Sequence, residues 1–437
     1  MNRKRAVEIR LNIEDLDSSG FGVGYYENRP VHVRSALPGE EVTAIIKKRN
    51  KGQWYGIPQH IDNLSNKREV PACEYFNFCG ACTFQHMKYD QQLIFKQKEL
   101  LRQLDANNVK SGSIRAPKFS KRLNYRRKAR LGIRSIEKET FVGFREVFSG
   151  RITRMNSCKT LDSNVSDLLP VLKATVDSLD ARNRIPQAEV VRGDKSLAVL
   201  VRHLEELTEH DLTILRDFAH RNSLWLYLQS SGYDGIELLN ANEKFPPLGY
   251  GLEEFGVWLE FSVTNFIQAN TDLNKQLVWD VVNAVKTQES ALVVDMFCGI
   301  GNFSIPLARE GMHVLGFEMD QNAVDRANAN ASINGVAERC RFQQSNLYGP
   351  KNIDLQGADT LLLDPPRSGA GDELVNWVSG SNVQRIIYVS CNPTSFAKDA
   401  AVLNDQGFLL EEVGIFDMFP QTTHIETLGI FVRGYHG

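Results

Sequence analysis

Hydrophobic and polar residues alternate in short runs through the first 62 residues, with turn-forming residues between the runs. Glu8 to Ile13 alternates, Ser18 to Gly24 turns, Val31 to Val33 resumes, Leu37-Pro38-Gly39 turns again, and Val42 to Ile46 alternates once more. A period of two marks strands with one buried face, and short strands closely spaced predict a small β-barrel of oligonucleotide-binding type. Gln91 to Leu104 carries the period of a helix. Residues 140 to 260 mix strands and helices without a legible motif apart from Cys158, and from about 275 strand and helix alternate. The strand candidates there are Ala291–Val294, His313–Phe317, Thr360–Leu363, Arg385–Val389 and Ile430–Val432, the pattern of a doubly wound parallel sheet.

A chain of 437 residues holds about three domains at roughly 150 residues each. The pattern divides it into a barrel at 1–62, an α+β central domain at 63–260, and a Rossmann-like α/β domain at 261–437. Residues 91–118 fit equally well on the central domain or packed on the last one.

Composition excludes some classes. No stretch approaches 18 apolar residues, so no membrane partner is expected. The start, MNRKRAVEIRLNI, lacks the apolar core of a signal peptide, and the expected setting is cytoplasmic. Seven cysteines are too few for a disulfide scaffold in a chain this long, so clustered ones read as metal ligands or nucleophiles. A net charge of −2 says nothing about nucleic acid, so local distribution must carry that argument. Lys47, Lys48, Arg49 and Lys51 stand beside Trp54 and Tyr55, cations for phosphate next to rings for bases. Ala106 to Ile136 holds ten Lys or Arg and no acid, which predicts a phosphate-tracking surface.

The chemistry lies at strand ends. Leu292-Val293-Val294 runs into Asp295-Met296-Phe297-Cys298-Gly299-Ile300-Gly301-Asn302-Phe303, a strand, an acid, G-x-G and a helix. The next strand ends at Glu318, placed to bind ribose hydroxyls. A dinucleotide would need a third glycine where Ser304 stands, and Asp295 would repel its phosphates. S-adenosylmethionine has no phosphate and brings a cationic sulfonium and amine, so it fits better.

Three more segments end strands on the same edge: Leu363-Asp364-Pro365-Pro366-Arg367, Val389-Ser390-Cys391-Asn392-Pro393, and Phe419-Pro420-Gln421-Thr422-Thr423-His424-Ile425-Glu426. Together they point to methylation at C5 of uracil. That carbon is too weak a nucleophile until a thiolate adds at C6, and turnover then needs a base for the C5 proton. Cys391 is the candidate nucleophile and Glu426 the candidate base, while Asp364 would orient either the uracil edge or the cofactor. The target uridine must be flipped out of its stack for C6 to be reached. Three rival readings are methylation of an exocyclic amine through Asp-Pro-Pro-Arg, cytosine-5 methylation, and an RNA-binding ribosome-assembly factor with a vestigial catalytic domain. The first needs no cysteine, so a Cys391→Ala variant separates it. Cys73, Cys79 and Cys82 form C-x5-C-x2-C, with Cys158 a distant fourth, and four thiolates suit zinc or an iron–sulfur cluster.

The combination VDMFCGIGNF, LLLDPPRSGAG, YVSCNP and FPQTTHIE resembles the RNA (uracil-5-)methyltransferases over nearly the whole chain. The resemblance implies Cys391 as nucleophile, Glu426 as base, and Gln268, Phe297, Asn302, Glu318, Asn346 and Asp364 as contacts of S-adenosyl-L-methionine. Gln268 and Asn346 rest on it alone. It also implies that the barrel is a TRAM domain that binds RNA, and that Cys73, Cys79, Cys82 and Cys158 hold a [4Fe–4S] cluster. The branch carrying both features acts on 23S ribosomal RNA; other branches act on transfer RNA or on other ribosomal uridines. A monomer is expected. Gln421 stands where the family is expected to have histidine, beside the base, which bears on fine specificity.

Overall fold

A computed structural model describes residues 7–434 except 138, 233–234, 287–291, 350–352, 354 and 356. The first unit contains β1 (Glu8–Asn12), β2 (Asp15–Leu16), β3 (Gly22–Tyr26), β4 (Arg29–Val33), β5 (Glu41–Asn50) and β6 (Gln53–Asp62) in the order β1-β5-β6-β4-β3-β2. Alternate residues Ile9, Leu11, Val42 and Ala44 turn inward with Val31 and Val33, so the two-residue period supplies the barrel core. At the β5–β6 end Arg49 lies 4.2 Å over the Trp54 ring, beside the exposed lysines 47, 48 and 51.

Next come α1 (Tyr89–Ala106), β7 (Ser111–Ile114), β8 (Lys128–Ile136), β9 (Glu139–Gly143), α2 (Ser163–Asp177), β10 (Gln187–Arg192), β11 (Leu197–Arg202), α3 (Glu209–Arg221), β12 (Trp225–Gln229) and β13 (Ile236–Leu238). The central sheet runs β13-β12-β11-β10-β8-β9, with α2 and α3 covering one face through Leu168, Leu172, Leu215 and Phe218. Helix α3 begins at a capping box in which Thr208 and Asp211 satisfy each other's backbone N–H groups.

Beyond β14 (Gly249–Leu252) and β15 (Val257–Glu260) lie α4 (Thr271–Lys286), β16 (Leu292–Met296), α5 (Ser304–Arg309), β17 (His313–Glu318), α6 (Gln321–Ile333), β18 (Cys340–Gln344), β19 (Thr360–Leu363), α7 (Glu373–Val378), β20 (Arg385–Ser390), α8 (Pro393–Asp405), β21 (Phe408–Phe416) and β22 (Glu426–Arg433). The sheet order is β18-β17-β16-β19-β20-β22-β21-β7. Strands β16 to β20 are parallel, and β22 is antiparallel to both its neighbours. Every residue of β19 and β20 is buried, as expected for parallel strands covered on both faces. Val293, Leu362, Ile387 and Ile430 face α4, α5 and α6, while Val294, Leu361, Ile386 and Phe431 face α1, α7 and α8.

Helix α1 and strand β7 belong to this layer, not to the central sheet. Leu100 and Leu104 bury α1 alongside α8, and β7 pairs in parallel with β21. The chain therefore crosses from the barrel to the layer of the large, mainly parallel sheet before building the central domain.

The acid-free segment 106–136 is not a free cationic stripe, as its composition had suggested. Arg115 pairs with Glu412 and Asp280, Lys118 with Asp280, Lys121 with Asp272, Arg122 with Glu69, and both Lys128 and Arg130 with Glu189. Folding brings in carboxylates that the local sequence lacks. The exposed ones among these pairs are worth about 1 kcal/mol or less. Arg127, by contrast, is buried over the Tyr250 ring and withdrawn from any such surface.

Candidate active site

The strand order reverses at β16, which puts a crevice outside the carboxyl ends of β16 and β19, where open α/β sheets bind ligands. The loop after β16 is shaped for close approach. Phe297, Gly299 and Gly301 all have positive φ (67°, 53° and 89°). A Cβ on Gly301 would come within 2.8 Å of Ile305, whereas one on Gly299 would meet open space. Gly299 N–H donates to Glu318 Oε2 at 3.2 Å, and Glu318 Oε1 accepts from Met319 and Asp320 N–H at 2.7 and 3.0 Å.

The residues expected to contact the cofactor surround this loop. The Phe297 ring lies between Tyr348 (5.6 Å) and Trp377 (6.1 Å). Asn346 holds the Tyr348 turn by accepting from Tyr348 N–H at 3.1 Å. Asn302 and Asn274 exchange amide hydrogen bonds at 2.9 and 3.0 Å, and Tyr250 OH donates to Asn302 at 2.9 Å. Gln268 is reached through the same network: its carbonyl accepts from Arg127 Nε at 3.1 Å, and Arg127 stacks over Tyr250.

Acids dominate the crevice. Burial pushes Asp295 up to about 8, Ser304 Oγ–H donates to its Oδ2, and its Oδ1 has no partner among the described residues. Burial and the nearby Glu318 push Asp364 up to about 7. A positive charge bound in the crevice would let these carboxyls ionise.

The thiol and the second acid meet through strand topology. β20 runs out to Ser390, opposite Thr427 on antiparallel β22, so Cys391 emerges beside Glu426. Asn392 caps α8 by accepting from Thr394 N–H at 3.1 Å, with Pro393 at the first helical position, and its side chain donates to Arg367 O at 2.8 Å. The positive end of α8 and Arg367 therefore face Cys391, and both favour a thiolate. Burial, Glu426 and Asp364 outweigh them and lift the thiol to about 11. Glu426 is 2 % exposed, its Oε1 has no hydrogen-bond partner among the described residues, and burial and Asp364 hold its carboxyl well above the usual range. Arg367 also reaches His424 Nδ1 at 3.4 Å.

The same fold occurs in known proteins. A family model described as tRNA (uracil-5-)-methyltransferase matches residues 88–434, and a TRAM domain model matches residues 3–56. The chain belongs to the tRNA (uracil-5-)-methyltransferase family. As a member it is an S-adenosylmethionine-dependent methyltransferase, with a TRAM domain as its barrel. It is 36 % identical over 435 residues to the 23S rRNA (uracil(1939)-C(5))-methyltransferase RlmD of Hahella chejuensis, covering 97 % of both chains. It is 35 % identical to the enzyme of that name from Legionella pneumophila, covering 98 % of this chain and 100 % of the relative. The Pyrococcus abyssi tRNA (uracil-54, C5)-methyltransferase, solved with S-adenosyl-L-homocysteine, shares the fold at a TM-score of 0.75 and 24 % identity, covering 97 % of this chain and 100 % of that one.

Four cysteines lie in the central part of the chain, apart from Cys391. Cys79, Cys82 and Cys158 are buried, Cys73 is half-buried, and all are free thiols. Burial first, then the nearness of the other sulfurs, raises the thiols of Cys73, Cys79 and Cys82, the last to about 12. Arg34 is buried among them and donates to the carbonyls of Phe76, Cys79 and Cys82 at 2.9, 2.6 and 3.1 Å. A buried cation beside Cys79 and Cys82 suits an anionic thiolate centre. Yet among the described residues no three His, Cys, Asp or Glu side chains stand in a metal-holding arrangement. The donor chemistry fits a cluster, and the coordination shell is not formed.

Several residues of the site left no trace in the sequence. Tyr348 and Trp377 carry no motif. Lys96 and Gln92 look like the polar face of an ordinary helix, yet both are fully buried. Gln421, five residues before Glu426, accepts through its side-chain oxygen from Gln92 at 3.1 Å.

Proposed function

We propose that this family member methylates C5 of a uridine in 23S ribosomal RNA, the position numbered 1939 in the names of its relatives. The substrate rests on those relatives and on the TRAM barrel with its exposed lysines beside Trp54. The observation that carries the chemistry is the meeting of Cys391 and Glu426 at the ends of adjacent antiparallel strands, next to the Asp295–Phe303 loop.

The steps follow from these groups. Cys391 gives its thiol proton to solvent, and the sulfur then adds to C6 of a flipped-out uracil, sending the C5=C6 electrons toward O4 as an enolate. S-adenosylmethionine, when bound, supplies the methyl group that C5 takes up. Glu426 then removes the C5 proton, the C–H electrons restore C5=C6, and the Cys391 thiolate leaves. Glu426 must itself ionise first, and Arg367 together with a cation in the crevice favours that. Gln268, Phe297, Asn302, Glu318, Asn346 and Asp364 would hold the cofactor, with the Glu318 carboxylate available for its ribose hydroxyls. Cys73, Cys79, Cys82 and Cys158 would hold a [4Fe–4S] cluster with a structural or RNA-positioning role, and Arg34 would balance its charge.

The test incubates the protein with ribosomal RNA lacking its methyl groups and labelled S-adenosylmethionine, then maps the label. Label at C5 of uridine 1939 is expected. Label only in transfer RNA, or at cytosine, would overturn the substrate, and full activity of Cys391→Ala would overturn the mechanism. Iron and sulfide in equal amounts in brown purified protein supports the cluster, and zinc without iron rejects it.

A further inference from the structure

We infer that Gln92 is a positioning residue for Glu426: with Gln421 it forms a clamp through which α1 and the cysteine loop hold the segment leading into the base. The inference rests on the proposed role of Glu426. Residues 417 to 425 form no strand or helix and end directly on Glu426, the first residue of β22. A catalytic group at the end of an irregular segment is only as well placed as the contacts that fix that segment.

Those contacts come from far away in sequence. Gln421 sits at φ 69°, a left-handed conformation that a side-chain-bearing residue keeps only when its surroundings hold it there. Its carbonyl accepts from the N–H groups of Thr83 (2.8 Å) and Phe84 (3.0 Å), the two residues after Cys82. Its own N–H donates to Gln92 Oε1 at 3.2 Å, and its side-chain Oε1 accepts from Gln92 Nε2 at 3.1 Å. Gln92 Nε2 also donates to Phe84 O (3.1 Å) and Met87 O (2.8 Å). This side chain, 0 % exposed, thus directs both ends at two loops and neither at its own helix. The barrel closes on the same spot, where a Cβ on Gly20 would lie 2.3 Å from Phe84 and 2.9 Å from Thr423.

Anchoring of α1 does not depend on Gln92. Leu100 and Leu104 bury the helix, and Lys96 pairs with Asp417. Removing the Gln92 amide therefore loosens the base segment more than the fold.

The test uses the full chain as Gln92→Leu, Gln421→Ala and the double variant, with unmethylated ribosomal RNA, S-adenosylmethionine and Glu426→Gln as reference. A misplaced base slows release of the cysteine–uracil adduct, so a protein–RNA band should accumulate on a denaturing gel. The expected result is that band, with kcat down about tenfold to a hundredfold, as for misplacements near 1 Å. S-adenosylmethionine affinity should stay within about twofold, and the double variant should be no worse than either single one, as for residues acting as one unit. Lowered kcat without the band in either single variant, or losses that multiply in the double, would overturn the clamp while Glu426→Gln still gives the band. Absence of the band in Glu426→Gln would instead overturn the base assignment, and the clamp with it. Gln421→Ala acts from the loop side, so the test survives if Gln92→Leu does not fold.

Discussion

Replacing Lys96 by methionine probes the connection between α1 and the catalytic edge most directly. Lys96 and Asp417 are both 0 % exposed, with Nζ 2.5 Å from Oδ1, and Nζ also donates to Phe419 O at 3.1 Å. Breaking one partner of a buried pair costs about 3–5 kcal/mol, because the other charge is left without compensation. Here Asp417 keeps the Tyr89 hydroxyl at 2.7 Å, which moderates the loss, while Phe419 O loses a donor at a further cost of about 1–3 kcal/mol. The balance is about 4 kcal/mol. At about 2–4 °C per kcal/mol for a unit of this size, the catalytic unit should melt about 10 °C lower. Adding Asp417→Asn should recover much of this, since the orphaned charge disappears. The assay is thermal unfolding followed by tryptophan fluorescence, with Trp377 in the core of this unit. A Lys96→Met protein melting within about 2 °C of the parent would refute the reasoning, as would a double variant that loses the sum of both.

Three further outcomes follow from the crevice. With Cys391 raised to about 11, its alkylation by iodoacetamide in cofactor-free protein should climb about tenfold per pH unit to beyond pH 10, since only the thiolate reacts; a plateau near pH 8.5 would sink this. Asp364 and Asp295, lifted to about 7 and about 8, bind protons in the folded state that the unfolded chain has already released. The stability they contribute is therefore lost as pH rises from the ordinary carboxyl range to about 8, and S-adenosylmethionine, by bringing a cation, should raise the melting temperature more at about pH 8 than at about pH 6. S-adenosylhomocysteine, without the sulfonium charge, should show a smaller change, and equal behaviour of the two would contradict a cation-selective crevice. Phe297→Ala removes the ring held between Tyr348 and Trp377 and should weaken S-adenosylmethionine by about 2 kcal/mol, roughly thirtyfold in Kd by calorimetry, with little effect on RNA binding.

The amino-acid sequence by itself determined the elements and the chemistry each can carry. Alternation over Glu8–Asn12 and Glu41–Asn50 and buried runs at Thr360–Leu363 and Arg385–Ser390 report which faces are apolar, a property of neighbouring residues alone. The same local information places Asp295, Asp364 and Cys391 at strand ends, with glycines where the backbone must turn left-handed. Tertiary structure decided what those elements face. A periodic pattern shows that a face is buried but not against what, so α1 read as a helix without revealing that Lys96 meets Asp417, 321 residues away. Charges in 106–136 looked unbalanced because the carboxylates that neutralise them arrive from distant strands and helices. The resemblance places Gln421 near the base, and tertiary structure brings it its distant partner Gln92. Even the pairing of Cys391 with Glu426 depends on β22 entering antiparallel between β20 and β21. In a parallel insertion that carboxyl would lie at the opposite edge of the sheet, a full strand length from the thiol.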